Sequence, residues 1–253
     1  MRKSEKHLKL GIKQTIQRHW MDYVVQMLLA GMLEKDIRIE LDKYLSTQKQ
    51  SGGIGVRGSK TYGISIGILA SWFDPAPELV ELRNDALQIA RMIPSEHWLP
   101  LHWAIMSSSY PFWFNVAKQV GRLLKLQERI TQSQIFNRIK EQYGDRETVE
   151  RNARYTVRSF VAWGVLNDSD IKGCYKGSPP YTLSDIKTIL LMIEAGLHAS
   201  PEGKSNLNVL VNNPAFFPFT FPAVSGNTIS MHNNRIESLR YSLDDEYVQL
   251  RQV

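Results

Sequence analysis

The stretch from Arg129 to Leu166, "RITQSQIFNRIKEQYGDRETVERNARYTVRSFVAWGVL", constrains the fold more than any other part of the chain. Thr131 followed by Gln134 is a T-x-x-Q capping box: the threonine oxygen accepts a backbone N–H of the first turn, and the glutamine reaches back to the cap. Ile130 before the cap and Ile135 after it are placed to close a hydrophobic staple. Two independent start signals at one residue predict a helix from Thr131 to about Tyr143, ended by Gly144. A second helix follows at once, with Asp145 expected as its cap and Gly164 as its terminator.

On that second helix, at about 100° per residue, Val149, Ala153, Thr156, Phe160 and Trp163 gather on one side. Arg151, Arg154 and Arg158 fall within about 60° of one another, roughly opposite. Thr148, Asn152 and Tyr155 flank them, so one face offers bidentate donors, an amide and an aromatic hydroxyl. That is the chemistry that reads base edges and grips phosphates. Glu147 shares this face and would repel phosphate, so it is expected either to pair with Arg151 at i+4 or to meet a base donor.

The neighbours extend the pattern. Before the capped helix, "NVAKQVGRLLKLQ" forms an amphipathic helix through Val116, Val120 and Leu123/Leu124. After the arginine helix, Val165–Leu166 and Ile171–Tyr175 are expected as the strands of a wing, with Asn167–Asp170 as the turn and Lys172 and Lys176 exposed. Helix, helix, short turn, basic helix and hairpin is the order of a winged helix-turn-helix, whose third helix lies in the major groove while the wing touches the adjacent backbone. Such modules also dock proteins, so a scaffold without nucleic-acid affinity is the alternative.

Elsewhere the chain is mostly helical in pattern. Residues 8–48 carry an apolar stripe through Ile12, Ile16, Trp20, Tyr23/Val24 and Met27/Leu28, predicting a helix interrupted at Gly31. "SGGIGVRGSKTYG" (Ser51–Gly63) is a basic, glycine-rich loop from which Arg57 and Lys60 can touch phosphate, and Ser59 is expected to cap the helix that follows. "DPAP" (Asp74–Pro77) stops that helix and starts another. Pro94 and Pro100 bracket a linker, and the aromatic "LHWAIMSSSYPFWFNVAKQV" is expected to be core. Beyond Asn212, phenylalanines, threonines and prolines read as short edge strands and a hairpin, and the tail is expected to turn helical after Asp244. The fold class is therefore mainly α, in three parts: a helical N-terminal region (1–94), a winged-helix domain with the aromatic core (95–183), and a C-terminal helix plus β-hairpin segment (184–253).

Charge and composition narrow the function. The net charge of +6 is uneven, running +6, −3, +5 and −2 over residues 1–70, 71–117, 118–176 and 177–253. Two basic segments point to an anionic partner, with nucleic acid the usual candidate, and the winged-helix pattern makes that double-stranded DNA. RNA ranks lower because no stacking-platform motif is present. The single cysteine, Cys174, excludes an internal disulfide framework and a zinc site built on paired cysteines. No signal-peptide core or membrane-length apolar run stands in the sequence, so a soluble, cytoplasmic protein is expected.

"GIGVRGSKT" nearly matches a phosphate-binding loop, but Ser59 separates Gly58 from Lys60, and no buried strand precedes it. The six histidines lack metal-ligand spacing; His97 and His102 are expected to pack or hydrogen-bond. Asp244, Asp245 and Glu246 form an acidic run expected to be a solvated face. No nucleophile, base and oxyanion site assembles, so a non-enzymatic protein with no cofactor or metal is expected.

At the level of organisation the chain resembles the BrxA family, small helical components of BREX bacteriophage-defence systems. The resemblance covers roughly residues 10–166 and is carried by the helical N-terminal region, "RGSKTYGISIGILASW", "LHWAIMSSSYPFWFNVAKQV" and the segment ending "DRETVERNARYTVRSFVAWGVL". "FFPFTF" and "ISMHNNRIESLRYSL" depart from the family pattern. The resemblance implies a DNA-binding, non-catalytic accessory protein of a defence locus, partnered by DNA and by other proteins of that locus.

Overall fold

The computed structural model describes residues 7–49, 55–240 and 246–251. Asp244, Asp245 and the Ser51–Ile54 part of the glycine-rich loop lie outside them. The described residues are mainly helical, with eleven α-helices and eight short strands. None of the helices is long and apolar enough to cross a membrane.

The N-terminal region departs from the predicted helix. The first long helix, α1 (Arg18–Leu29), starts ten residues late, and residues 9–17 are non-helical. Gly11 adopts φ +73°, and a Cβ there would lie 2.7 Å from the Tyr110 ring. Ile12 and Ile16 are nonetheless fully buried, so their four-residue spacing serves tertiary packing rather than helical periodicity. Gly31, at φ +80°, separates α1 from α2 (Glu34–Ser46) as expected. Helix α3 (Ser59–Phe73) takes Gly58 as its cap, with no side-chain capping bond, so Ser59 is the first helical residue and not the cap. A short 3-10 turn at Pro77–Leu79 leads into α4 (Val80–Met92).

Helix α5 (Leu99–Ser109) is buried on every side from Leu99 to Ser108, which accounts for its all-round apolar and small-residue composition. It packs against α6 (Pro111–Leu124) and against α9 (Ile186–Ala199), a second helix buried almost throughout. Trp103 on α5 sits at the centre of an aromatic cluster. It stacks on Phe160 at 5.1 Å between ring centroids and meets Trp113, Trp163, Phe217 and Phe219 edge-on. The aromatic stretch is core, as its composition suggests.

From α6 the chain continues through β1 (Arg129–Thr131), α7 (Gln132–Tyr143), α8 (Glu147–Ala162), β2 (Leu166–Asp168) and β3 (Cys174–Gly177). The three strands form one antiparallel sheet in the order β1-β3-β2. Strand β1 is not legible in the sequence: it is three residues long, and its partner lies more than forty residues away. The expected second wing strand starts late, at Cys174. Gly173 at φ +77° and the bond from the Cys174 N–H to the Ile171 carbonyl keep Ile171–Gly173 in the turn.

The C-terminal part adds β4 (Tyr181–Thr182), paired in parallel with β6 (Phe219–Thr220). A second antiparallel sheet has the order β5 (Lys204–Asn206), β8 (Glu246–Leu250), β7 (Ile236–Arg240). The tail expected to be helical after Asp244 is thus strand β8, hydrogen-bonded on both sides. Short helices α10 (Leu207–Val211) and α11 (Gly226–His232) complete this part. A polar cluster ties it down: Arg235 donates to both carboxylate oxygens of buried Glu194 on α9, at 2.7 and 2.8 Å, and to Asp85 on α4.

Candidate nucleic-acid interface

Helix α8 presents the candidate surface, and the elements around it fix its orientation. The Thr131 capping box forms as the spacing predicts, with the Gln134 N–H donating to Thr131 Oγ1 at 3.2 Å and the Thr131 N–H to Gln134 Oε1 at 2.8 Å. Ile130 and Ile135 are both fully buried beside it, as a staple requires. Asp145 does not cap α8; it lies 3.0 Å from Lys140, and the cap position belongs to Arg146. Val149, Ala153, Thr156, Phe160 and Trp163 are all buried. Gly164 turns the chain out of the helix at φ +73°.

The three arginines stand on the opposite, exposed side, and each meets a carboxylate. Arg151 lies 3.7 Å from Glu147, Arg154 bonds Glu150 at 2.9 Å, and Arg158 bonds Asp168 on β2 at 2.6 Å. Arg154 also lies over the Phe136 ring of α7. Burial works against the Arg158 cation, but Asp168 and Tyr175 outweigh it and hold its pKa above the ordinary value. The face is therefore ordered and locally neutralised. Exposed pairs of this kind contribute about 0–1 kcal/mol each, so a phosphate can displace the carboxylates at little cost.

Of the flanking residues, Thr148 is exposed and Tyr155 half-buried, but Asn152 is buried. Its Nδ2 donates to the Thr148 carbonyl at 2.7 Å, closing a turn of α8 rather than offering an amide to a base. On the sheet, Lys172 is exposed in the turn and Lys176 is half-buried, facing Arg129 on one side and Asn167 on the other. Arg57 is not part of this surface: it is 6% exposed, its guanidinium lies 4.7 Å from the centre of the Trp20 ring, and burial lowers its pKa. Lys60 is exposed on the first turn of α3.

A groove of about 660 Å³ runs along the other flank of α8. Thr148, Arg151 and Tyr155 form one wall, Lys9 and Lys13 the second, and Ile64 of α3 closes it. Lys60 stands four residues before Ile64, on the same face of α3. Lys9 and Lys13 are functional candidates that the sequence reading missed. The basic N-terminus was visible, but only the non-helical path of residues 9–17 carries it alongside α8.

No family model, curated protein or solved structure matches this chain.

Away from α8, His102 is fully buried, 2.8 Å from Asp22, and His97 bonds the Tyr181 hydroxyl at 3.1 Å. Both histidines are engaged in hydrogen bonds. Among the described residues, no cluster of histidine, cysteine, aspartate and glutamate is arranged to hold a metal ion.

Proposed function

We propose that this protein is a non-enzymatic double-stranded-DNA-binding protein that uses a winged helix-turn-helix. The observation that carries this reading is the succession α6, β1, α7, α8, β2, β3 with sheet order β1-β3-β2, around a helix whose exposed face holds Arg151, Arg154 and Arg158. A winged helix has this order and places its third helix in the major groove. Lys172 and Lys176 on the hairpin and Lys60 on α3 supply backbone contacts beside it. The resemblance to BrxA extends the reading to an accessory role in a bacterial phage-defence system.

Anisotropy titration of a labelled duplex tests the reading. With the three lysine contacts alone, affinity should fall roughly fortyfold between about 50 and 200 mM salt. No binding at low salt overturns the reading. A folded protein carrying Arg→Ala at 151, 154 and 158 that still binds as wild type overturns the assignment to α8.

The pairing of each arginine with a carboxylate favours a second reading, a protein-docking scaffold. It predicts no DNA affinity at any salt concentration, together with co-purification of products of neighbouring genes.

A further inference from the structure

The groove beside α8 differs in charge from the concavity on the hairpin side of the helix. Between α7 and the hairpin, the space lined by Arg158 and Lys172 also contains Asp168, which occupies the arginine. The groove on the opposite flank is lined by Lys9, Lys13 and Arg151 and, among the described residues, by no carboxylate. Glu147, the acid nearest Arg151, stands outside that lining, 90% exposed and 3.7 Å away. Lys13 and Arg151 are like charges on the two walls of this concavity, and an anion seated between them relieves their repulsion. The exposed hydroxyl of Thr148 adds a donor at the N-terminal turn of α8, where the helix dipole also favours negative charge.

The wall that carries the lysines is held in place. Ile12 and Ile16 are fully buried, the Ile16 N–H donates to Ser159 Oγ on α8 at 2.9 Å, and the Trp163 indole donates to the Ile16 carbonyl at 3.0 Å. Lys13 projects between these two anchors and is exposed. The backbone that carries Lys13 is therefore fixed beside α8, and only the exposed side chain has to be ordered when a ligand arrives.

We propose that this groove seats a backbone phosphate of the duplex that α8 faces, with Lys13 and Arg151 as its principal contacts and Lys9 and Thr148 beside them. The proposal rests on the DNA-binding reading above and adds to it a second clamp, on the flank of α8 away from the hairpin. The N-terminal segment and the hairpin then hold the two sides of one groove, which fixes the register of α8 along the DNA.

The test is the salt dependence of duplex binding by the full-length protein, compared among wild type, Lys13→Ala, Lys13→Arg and Lys35→Ala. Lys35 is an exposed lysine on α2 that does not line the groove. Lys13→Ala should weaken binding about five- to tenfold at roughly 0.1 M salt and reduce the slope of log K against log salt by about 0.9, the signature of one lost phosphate contact. Lys13→Arg should restore both, and Lys35→Ala should change neither. An unchanged slope and affinity in Lys13→Ala, with wild type binding DNA, overturns this proposal and leaves the DNA-binding reading standing. Absence of duplex binding by wild type overturns both. A Lys13-dependent affinity for AMP with duplex binding untouched overturns the proposal in favour of a free nucleotide.

Discussion

At Glu147 the carboxylate is 90% exposed and too far from Arg151 for a hydrogen bond, so it adds negative charge to the arginine face without fixing its partner firmly. Glu147→Gln should therefore tighten duplex binding about two- to fivefold at low salt, as expected for removing one repulsive charge near phosphate. A weaker complex would instead show Glu147 accepting from a base donor. Thr131 tests the other kind of local reading. Its capping box was legible because both partners lie within four residues, and its loss in Thr131→Ala should cost about 1 kcal/mol in denaturant unfolding, with Thr131→Ser retaining most of it. Asn152 was not legible in the same way. Its amide lies at the edge of the arginine face on a helical wheel, but packing beside it buries the side chain and turns Nδ2 onto the Thr148 carbonyl. Arg57 differs from its sequence pattern for the same reason: a charged residue in a glycine-rich loop looks solvated, but tertiary packing lays it over Trp20 and buries it.

Among the elements, α7 and α8 could be read from the sequence because their signals are local: a cap, a staple, terminating glycines and a buried stripe. The segment at residues 9–17 shows how that reasoning fails. Apolar residues four apart satisfy a helical pattern, but the same spacing serves an irregular chain anchored at two points in another element's surface. Gly11, pressed against Tyr110 at positive φ, is incompatible with the helix. This anchoring can be measured. Ile16→Ala should destabilise the fold by about 2–5 kcal/mol, the usual range for truncating a buried isoleucine. Ser159→Ala removes the acceptor for the Ile16 N–H together with the hydroxyl's own bond to the Tyr155 carbonyl, and should cost about 1–3 kcal/mol. If residues 9–17 were merely draped on α8, both variants would unfold at the wild-type denaturant concentration.

For the whole molecule, the decisive polar contact is the one between Arg235, Glu194 and Asp85. Burial by itself would raise the Glu194 carboxyl. His198, 3.9 Å away, and the bonds and charge of Arg235 more than offset this and bring it from 4.5 down to about 2. A carboxyl with a depressed folded-state pKa contributes stability that is fully present above its unfolded value and is lost as pH falls through the folded one. Wild type should therefore lose on the order of 3 kcal/mol from this group between about pH 4.5 and 2. Glu194→Gln should be less stable at neutral pH and show a flatter acid limb in that window. Denaturant unfolding followed against pH measures both, and parallel acid limbs for the two proteins would refute the assignment.

The same cluster joins residues 85, 194 and 235, and no spacing rule could have related them. By itself the sequence determined the mainly helical class, the capped start of α7 and its end at Gly144, the buried stripe of α8 and the exposure of its arginines. Each follows from propensity, capping and periodicity acting over a few residues. The tertiary structure decided where residues 9–17 run, that β1 pairs with β3, that Arg57 and Asn152 turn inward, that each α8 arginine meets a carboxylate, and that Lys13 lies beside Arg151. Those outcomes depend on contacts between distant segments, whose free energies come from excluding water and satisfying buried polar groups once the whole chain has packed.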